Sequence, residues 1–171
     1  MVISDQTLRN DRLVFYTKDV QRIDTELDGF LELSGSRSAF LIDKEGHMVT
    51  RRGETVQNSL EAISALIAGS FAATREMARL LGENQFSTLF HQGQRDSIQV
   101  TLVGDRALFA TLFDGRTNLG LVRYYATETA THLAAILNEM TTRPASEAAP
   151  AGDQISNDFQ SSAAAALDKL F

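Results

Sequence analysis

The amino-acid sequence predicts an α/β (α+β) fold in which helices cover both faces of a five-stranded antiparallel sheet. Apolar residues recur at helical spacing in three segments, and short runs typical of strands lie between them. Short glycine-containing turns separate neighbouring strands, and connections of this length join antiparallel partners. The expected order of elements is therefore α-β-β-α-β-β-β-α.

The first helix is predicted from apolar residues that recur every three or four positions, which are Val20, Ile23, Leu27, Phe30 and Leu31. Two strands are predicted next, at residues 38–43 and 47–51. Gly46 lies in the tight turn between them, where it is expected to take the positive φ that other residues avoid. This part of the chain is therefore predicted to be a helix followed by a hairpin.

The middle helix is predicted to start from a cap at Asn58 or Ser59 and to end at Gly82. The side expected to face the sheet carries Leu60, Ile63, Ile67, Phe71, Thr74 and Ala78. The opposite side, where a surface helix normally has charges, carries Ala62, Ala65, Gly69, Ala72 and Glu76. Either alanine is simply a good helix former here, or the small residues let another chain approach closely. Gly69 favours a docking face, because glycine inside a helix costs about 1 kcal/mol relative to alanine.

Three further strands are predicted at residues 85–91, 97–103 and 107–113. Gly104 and Asp105, between the last two strands, are typical of a two-residue hairpin loop. A closing helix is predicted from apolar residues at helical spacing, which are Val122, Ala126, Thr129, Leu133, Ile136, Leu137 and Met140.

The chain is expected to contain one folded domain, residues 13–140, after a loose polar extension at residues 1–12. Residues 141–152 hold both prolines among Ala, Ser and Gly, a composition typical of a flexible linker. The tail, residues 153–171, has a few apolar side chains among acidic and small ones. It is too weakly apolar to form a core, so we expect it to fold on a partner, with an inert frayed tail as the alternative.

The composition excludes several classes of function. Of the 171 residues, 43% are hydrophobic and 22% are charged, the balance of a soluble globular protein. The absence of cysteine excludes disulfides, thiolate nucleophiles and cysteine-bound metals. A formal net charge of −6 disfavours a nucleic-acid partner. Without a signal-peptide pattern or an apolar run long enough for a membrane span, a cytoplasmic location is expected.

Catalytic and metal-binding patterns are weak in this sequence. His47, His91 and His132 fall on different predicted elements without metal-ligand spacing. Asp96 and Ser97 follow His91, but no nucleophile turn surrounds the serine, and their side chains are expected to fix the strand connection. There is also no glycine-rich loop with a lysine that would hold phosphates. An enzyme with its own catalytic site is therefore not expected.

Four blocks of sequence resemble a known family. They are residues 40–46, 80–86, 90–97 and 112–123, which read FLIDKEG, LLGENQF, FHQGQRDS and LFDGRTNLGLVR. With the order of elements, these blocks resemble the Roadblock-type dynein light chain family, and within it the MglB type, the bacterial polarity proteins that are partners and GTPase activators of the Ras-like MglA. The resemblance covers about residues 13–140 and returns at residues 166–171.

The resemblance implies a homodimer that joins two sheets edge to edge into a ten-stranded sheet, with the two middle helices side by side. It also implies that the helix pair binds an MglA-like Ras-family GTPase in its GTP form. Activation would come from repositioning the switch residues of the GTPase, without an arginine finger. The nucleotide and magnesium belong to that partner, so no cofactor is expected in this chain. A role in cell polarity or gliding motility and concentration at a cell pole are implied as well.

Two sets of contact residues follow from the resemblance. The GTPase-docking helix face would comprise Ala65, Gly69, Ala72, Arg75, Glu76 and Arg79. The C-terminal peptide, a second contact, would comprise Leu167, Asp168, Leu170 and Phe171. Arg75 and Glu76 depart from the smaller residues expected there, which keeps open a scaffold or effector that binds a GTPase without activating it.

Two further alternatives concern residues outside the middle helix. The segment at residues 114–118 is predicted to be a turn with an N-cap at Thr117 or Asn118. Arg116 or Arg123 as a transition-state arginine is the alternative, and the resemblance argues against it. A small-molecule sensor is a third class of function, but no polar cluster among the apolar strand positions supports it.

Overall fold

The computed structural model of the protein describes residues 15–54 and 60–142. Three helices and five strands follow one another within these ranges in the predicted order. They are α1 (Thr17–Ser34), β1 (Ser38–Asp43), β2 (Met48–Gly53), α2 (Leu60–Leu81), β3 (Thr88–Gln92), β4 (Ser97–Val103), β5 (Ala107–Phe113) and α3 (Leu119–Thr142). The predicted N-terminal extension at residues 1–12, the linker beyond Thr142 and the tail lie outside the described residues.

The five strands form one antiparallel sheet in the order β2-β1-β5-β4-β3. β1 and β5 are adjacent at its centre, with Ser38 opposite Leu112 and Asp43 opposite Ala107. Nearly all residues of both strands are buried, on either face of the sheet. For this reason both strands are mainly apolar runs in the sequence, without the alternation of a half-exposed strand. The predicted five-stranded antiparallel sheet is confirmed.

Helices pack on both faces of the sheet, as predicted. Leu41 of β1 and Phe109 of β5 lie in one core with α1 and α3, where Phe30 and Phe109 pack edge to face with ring centroids 4.9 Å apart. Phe40 and Ile42 of β1 project to the other face because side chains alternate along a strand, and they pack against α2. Two helices therefore cover one face, and α2 covers the other alone among the described elements.

The two edge strands and one hairpin loop differ from the prediction. β2 spans Met48–Gly53, where residues 47–51 were expected. β3 begins at Thr88, three residues later than expected, and pairs there with Thr101 of β4. The loop between β4 and β5 has three residues, because Val103 pairs with Ala107. A two-residue type I′ loop needs a positive φ at both central positions, but Gly104 has φ 55° and Asp105 does not take a positive φ. The expected two-residue hairpin is therefore wrong.

The helix ends agree with the sequence where the structure describes them. α2 ends before Gly82, as predicted. Asn118 caps α3, since its side-chain oxygen accepts a hydrogen bond of 2.9 Å from the Leu121 N–H. Thr117 instead donates its hydroxyl to the Ser34 carbonyl at 2.6 Å, which ties the start of α3 to the end of α1. The predicted α2 cap at residues 58–59 lies outside the described residues.

An ion-pair network joins four loops at one end of the sheet. Arg37 donates to Glu54 at 2.7 Å and to Asp96 at 2.6 Å. Arg116 donates to Glu54 at 2.9 Å and to Asp114 at 3.0 Å. The hydrogen bonds from Arg37 and Arg116 lower the pKa of Glu54, and those from Arg116 lower the pKa of Asp114. The network thus stabilises the fold most when both carboxyl groups are ionised.

We expect this contribution to be complete above about pH 5 and to be lost as the pH falls. The loss should begin near the ordinary pKa values, 4.5 for Glu54 and 3.8 for Asp114, since the unfolded chain takes up these protons first. Changing Glu54→Gln and Asp114→Asn together should flatten the pH dependence of the unfolding free energy. Urea unfolding across this pH range measures it, with Glu61→Gln on α2 as the control. An unchanged pH profile in the double variant would contradict a stabilising role for the network.

Candidate partner-docking surface

α2 lies on the sheet through one apolar stripe. Ser64, Ile67, Phe71, Thr74 and Ala78 are buried. Leu60 and Ile63 are half-buried against the same core. This agrees with the sheet-facing side predicted from the sequence.

The opposite side of α2 is exposed and small, as predicted from the spacing. It carries Ala62, Ala65, Gly69, Ala72 and Glu76, all of them exposed. A Cβ atom added at Gly69 would meet nothing within 4 Å, so alanine would fit the helix without a clash. No packing need among the described residues therefore accounts for this glycine.

The β1–β2 turn bounds the small face near the start of α2. Gly46 in this turn is buried and has φ 93°, as its predicted role requires. A Cβ atom added there would lie 3.0 Å from the Ala65 Cα and 3.3 Å from the Ala68 Cβ. The turn backbone therefore rests directly on α2 beside Ala65 and Ala68, whereas Gly69 lies clear of it.

The charged residues of the predicted docking face differ in their bonding. Arg79 donates to Glu76 at 2.9 Å, one helical turn away, and this bond raises the pKa of Arg79. Arg75 is exposed and makes no hydrogen bond or ion pair with the described residues. The structure therefore brings all six predicted residues onto the exposed side of one helix, with Arg75 as its uncompensated charge.

One feature of α2 was missed by the sequence interpretation. A second apolar stripe runs along one flank, where Leu66 is 70%, Met77 50% and Leu80 71% exposed. Ala73 lies between them at helical spacing. The helical spacing of positions 66, 73, 77 and 80 could have revealed this stripe. It was missed because the helix was interpreted as having one buried apolar face and one exposed face. Exposed leucines in such a row indicate a contact surface.

The α2 side of the sheet is incompletely covered at β3 and β4. β3 pairs only with β4 among the described strands, so its other edge carries unpaired backbone groups. Leu89 and Ile98, on the α2 side of β3 and β4, are only half-buried. The apolar flank of α2 and the β3 edge are thus two incompletely covered features of the described residues.

The histidines remain apart, as predicted. His132 lies 3.0 Å from Glu26, and His91 is exposed on β3. His47 shares the β1–β2 turn with Asp43 and Glu45, and the candidate ligand atoms of these three lie within 4.8 Å of one another. Asp43 already accepts a hydrogen bond of 2.8 Å from the His47 N–H, the ordinary bonding of a turn.

Asp96 has a different role from the predicted one. Its carboxylate binds Arg37, 59 residues away in the sequence, rather than a local backbone group. The turn before β4 is closed by the backbone instead, with the Gly93 N–H donating to the Asp96 carbonyl at 3.0 Å. His91 and Ser97 thus lie near the ends of β3 and β4, on either side of the connection that contains Asp96.

The two arginines considered as transition-state groups are placed away from α2. Arg116 is held by Asp114 and Glu54 in the loop network, which raises its pKa. Arg123 is exposed on α3, which packs against the face of the sheet opposite α2. Leu167, Asp168, Leu170 and Phe171 of the predicted C-terminal peptide lie outside the described residues.

The comparisons with known proteins agree with this architecture. The sequence profile of the Roadblock/LC7 domain matches residues 22–113, which is more than half of the chain. The chain belongs to the Roadblock/LC7 family. The match spans α1 through β5, so the family assignment rests on the same elements that build the sheet and α2. No curated protein sequence matches this Roadblock/LC7 chain significantly.

Solved structures of MglB proteins are similar to this Roadblock/LC7 chain over most of their length. "MglB with tetrameric arrangement" has 33% identity and a TM-score of 0.71, covering 75% of this chain and 96% of that chain. The gliding protein MglB of Thermus thermophilus has 33% identity and a TM-score of 0.70, covering 74% and 96%. Myxococcus xanthus MglB has 34% identity and a TM-score of 0.66, covering 69% and 96%. The predicted Roadblock and MglB-type resemblance is confirmed.

Among residues 15–54 and 60–142, no helix is long and apolar enough to cross a bilayer. α1 and α3 instead use their apolar stripes in the core shared with the sheet.

The contact between the β1–β2 turn and α2 can be tested with a pair of glycine variants. Gly46→Ala combines a strained positive φ with a contact of 3.0 Å, so we expect a loss of about 2–4 kcal/mol in unfolding free energy. Gly104→Ala has a positive φ but no neighbour within 4 Å, so about 1 kcal/mol is expected from strain alone. Chemical denaturation measures both. Equal losses in the two variants would mean that the turn does not press on α2.

Proposed function

We propose that this chain is a homodimeric co-regulator of an MglA-type, Ras-like small GTPase in bacterial cell polarity or motility. In this proposal the dimer binds the GTP form and accelerates hydrolysis by repositioning the switch residues of the GTPase. The observation that carries it is the exposed small face of α2, in a chain about 33% identical to MglB structures over three quarters of its length.

The small face supports docking through its shape. Gly69 and Ala72 present almost no side chain, so the backbone of a partner can come close to the helix there. A helix that served only to cover the sheet would gain about 1 kcal/mol from alanine at Gly69, and no clash prevents that change. An external contact that needs the missing methyl group explains the glycine.

The placement of the arginines supports activation without an arginine finger. Arg116 is committed to two carboxylates, and Arg123 lies on the side of the sheet away from α2. A transition-state arginine must reach the γ-phosphate of a docked GTPase. Arg116 and Arg123 are therefore not placed for that role. Arg75 does lie on the docking side, but it is not assigned as a finger, because the MglB-type resemblance implies activation through the partner's own groups. Nucleotide and magnesium then belong to the GTPase, and this chain needs no cofactor.

The apolar flank of α2 and the β3 edge support the proposed homodimer. Leu66, Met77 and Leu80 are at least half exposed, and β3 has an edge that no described strand pairs with. At the other edge, β2 is flanked by α1, and Arg52 there donates to Asp28 at 2.7 Å. Pairing β3 with β3 of a second copy would bury the apolar flanks together. The result would be the ten-stranded sheet with the two α2 helices side by side.

A second candidate is a scaffold or effector that binds the GTPase without activating it. Arg75 and Glu76 favour it, because these long charged side chains stand on the docking side where a close contact with switch residues needs small ones. Such a protein would recruit the GTPase in the cytoplasm, for example at a cell pole. Binding is common to the two candidates, and the rate of GTP hydrolysis separates them.

Single-turnover GTP hydrolysis by an MglA-type GTPase from the same genome, with and without this protein, tests the activator. We expect an acceleration of tenfold or more, about 1.4 kcal/mol off the barrier, together with co-elution in the GTP-bound state. Co-elution without acceleration would support the scaffold. No association in either nucleotide state would contradict both candidates.

Gly69→Arg should abolish that complex, because a long side chain in the middle of the small face prevents close approach. Melting temperature and oligomeric state should stay near those of the wild type, since Gly69 is exposed and an added side chain meets nothing within 4 Å. Ala135→Arg, exposed on α3, is the matched control and should bind normally. Normal binding by Gly69→Arg would show that the docking face is misplaced.

Replacing Leu66 and Met77 together by glutamate should convert the dimer to monomers, because the charges would face each other across the helix pair. Analytical ultracentrifugation measures the change, and circular dichroism should confirm an intact fold. Leu121→Glu on α3, where the side chain is 39% exposed, is the control. A double variant that remains dimeric would place the dimer contact elsewhere.

A further inference from the structure

A groove runs along the flank of α2 opposite the apolar one. At about 100° per residue, Arg75 and Ala68 lie roughly 180° around the helix from Leu66 and Met77. The groove separates this flank from the turns that end β1 and β4. Its walls carry Lys44 from the β1–β2 turn, Ala72 and Arg75 from α2, and Asp105 and Arg106 from the β4–β5 turn.

The groove has an apolar floor and widens toward the end of α2. Phe71 and Leu108 lie beneath its narrow part, between the two turns. Past Arg75 it opens into a hollow of about 320 Å³, which Arg79, Asn84 and Gln85 also line. The narrow part measures about 40 Å³, so a bound polypeptide segment would lie across its rim and occupy the wider hollow.

The groove is basic although the chain as a whole is acidic. Four cations line it, which are Lys44, Arg75, Arg79 and Arg106, against the two acids Glu83 and Asp105. The rest of the chain must therefore be strongly negative, since the formal net charge is −6. Lys44 and Arg75 are exposed and have no ion pair or hydrogen bond with the described residues. Their charge is available to a ligand.

We infer that this groove binds an acidic surface segment of the GTPase, and that Arg75 and Lys44 select the partner by its charge. The inference rests on the proposed function and assigns the recognition to one flank of the docking helix. Arg75 can hold a carboxylate through two parallel hydrogen bonds, and Lys44 adds a point charge at the narrow end. The apolar flank, on the other side of α2, is free for the second copy, so the groove stays open in the dimer.

The shape and charge of the groove favour a protein segment over a lipid surface or a nucleic acid. Glu83 and Asp105 stand among the cations and would repel a dense row of phosphates, whereas a polypeptide can pair with both signs. The cations also line a concave site, which a flat bilayer surface reaches poorly. Charge complementarity of this kind acts on partner choice and on the association rate, and salt screens it.

The test measures the dissociation constant between the full-length protein and an MglA-type GTPase loaded with a non-hydrolysable GTP analogue. It is repeated at about 50 mM and about 300 mM salt, where screening differs strongly. We expect Arg75→Glu and Lys44→Glu each to weaken binding at least tenfold at low salt and much less at high salt. Arg75→Lys keeps the charge but loses the paired hydrogen bonds, so it should weaken binding less than Arg75→Glu does. Arg123→Glu, the same charge change on α3, should bind as the wild type does. All variants should keep the wild-type melting temperature.

Each outcome decides the inference. If the wild type binds and both charge-reversed variants bind within twofold of it, the groove is not the recognition site, while the proposed function stands. If the wild type binds in neither nucleotide state, the proposed function fails and this inference fails with it. Co-sedimentation with phosphatidylglycerol vesicles tests whether the groove binds a lipid surface instead. Vesicle binding lost in Arg75→Glu, with GTPase affinity unchanged, would overturn the inference in favour of a membrane.

Discussion

The pairing of β1 with β5 at the centre of the sheet is the constraint on which the rest of the structure depends. These two strands are in register over six residues, and water reaches almost none of their side chains on either face. Two apolar faces require two layers of helices. α1 and α3 together supply one layer, with Phe30 packed on Phe109, and α2 alone supplies the other. Since one helix is narrower than the sheet, Leu89 and Ile98 stay half-covered. The β3 edge is open because no described strand pairs with it.

Much of this fold could be predicted because burial and turns leave local signals. The bounds of β4 and β5 agree with the prediction, since apolar runs and glycine turns mark them. β3 was displaced, because an edge strand with one partner has neither the continuous apolar run nor the strict alternation of a central strand. The loop at Gly104 was misjudged because its length depends on the pairing of Val103 with Ala107. Arg37 and Asp96 are 59 residues apart, so no local pattern in the sequence predicts their contact.

The docking surface was only partly predictable for a related reason. Spacing identified the small face, and the structure places Gly69 and Ala72 in the open as expected. Spacing could not tell which of several apolar positions is buried, so Leu66 went unnoticed although it is 70% exposed. The groove depends on Lys44 and Arg106, which come from two turns far apart in the sequence and meet α2 only in the folded sheet. The periodicity of the sequence shows which residues share one face of a helix. A surface built from several elements becomes visible only in the folded structure.

A helix that covers one face of a sheet alone also determines where the domain opens most easily. α2 is attached by a single buried stripe, whereas α1 and α3 support each other as well as the sheet. Local opening starts where fewest apolar groups are buried, so among the three described helices we expect α2, which has no helix packed beside it, to separate from the sheet first. A partner bound to α2 adds its binding free energy to this helix layer. Binding of a partner to α2 should therefore slow hydrogen exchange at the backbone amides of this helix. The exchange rates of these amides then report on the bound state.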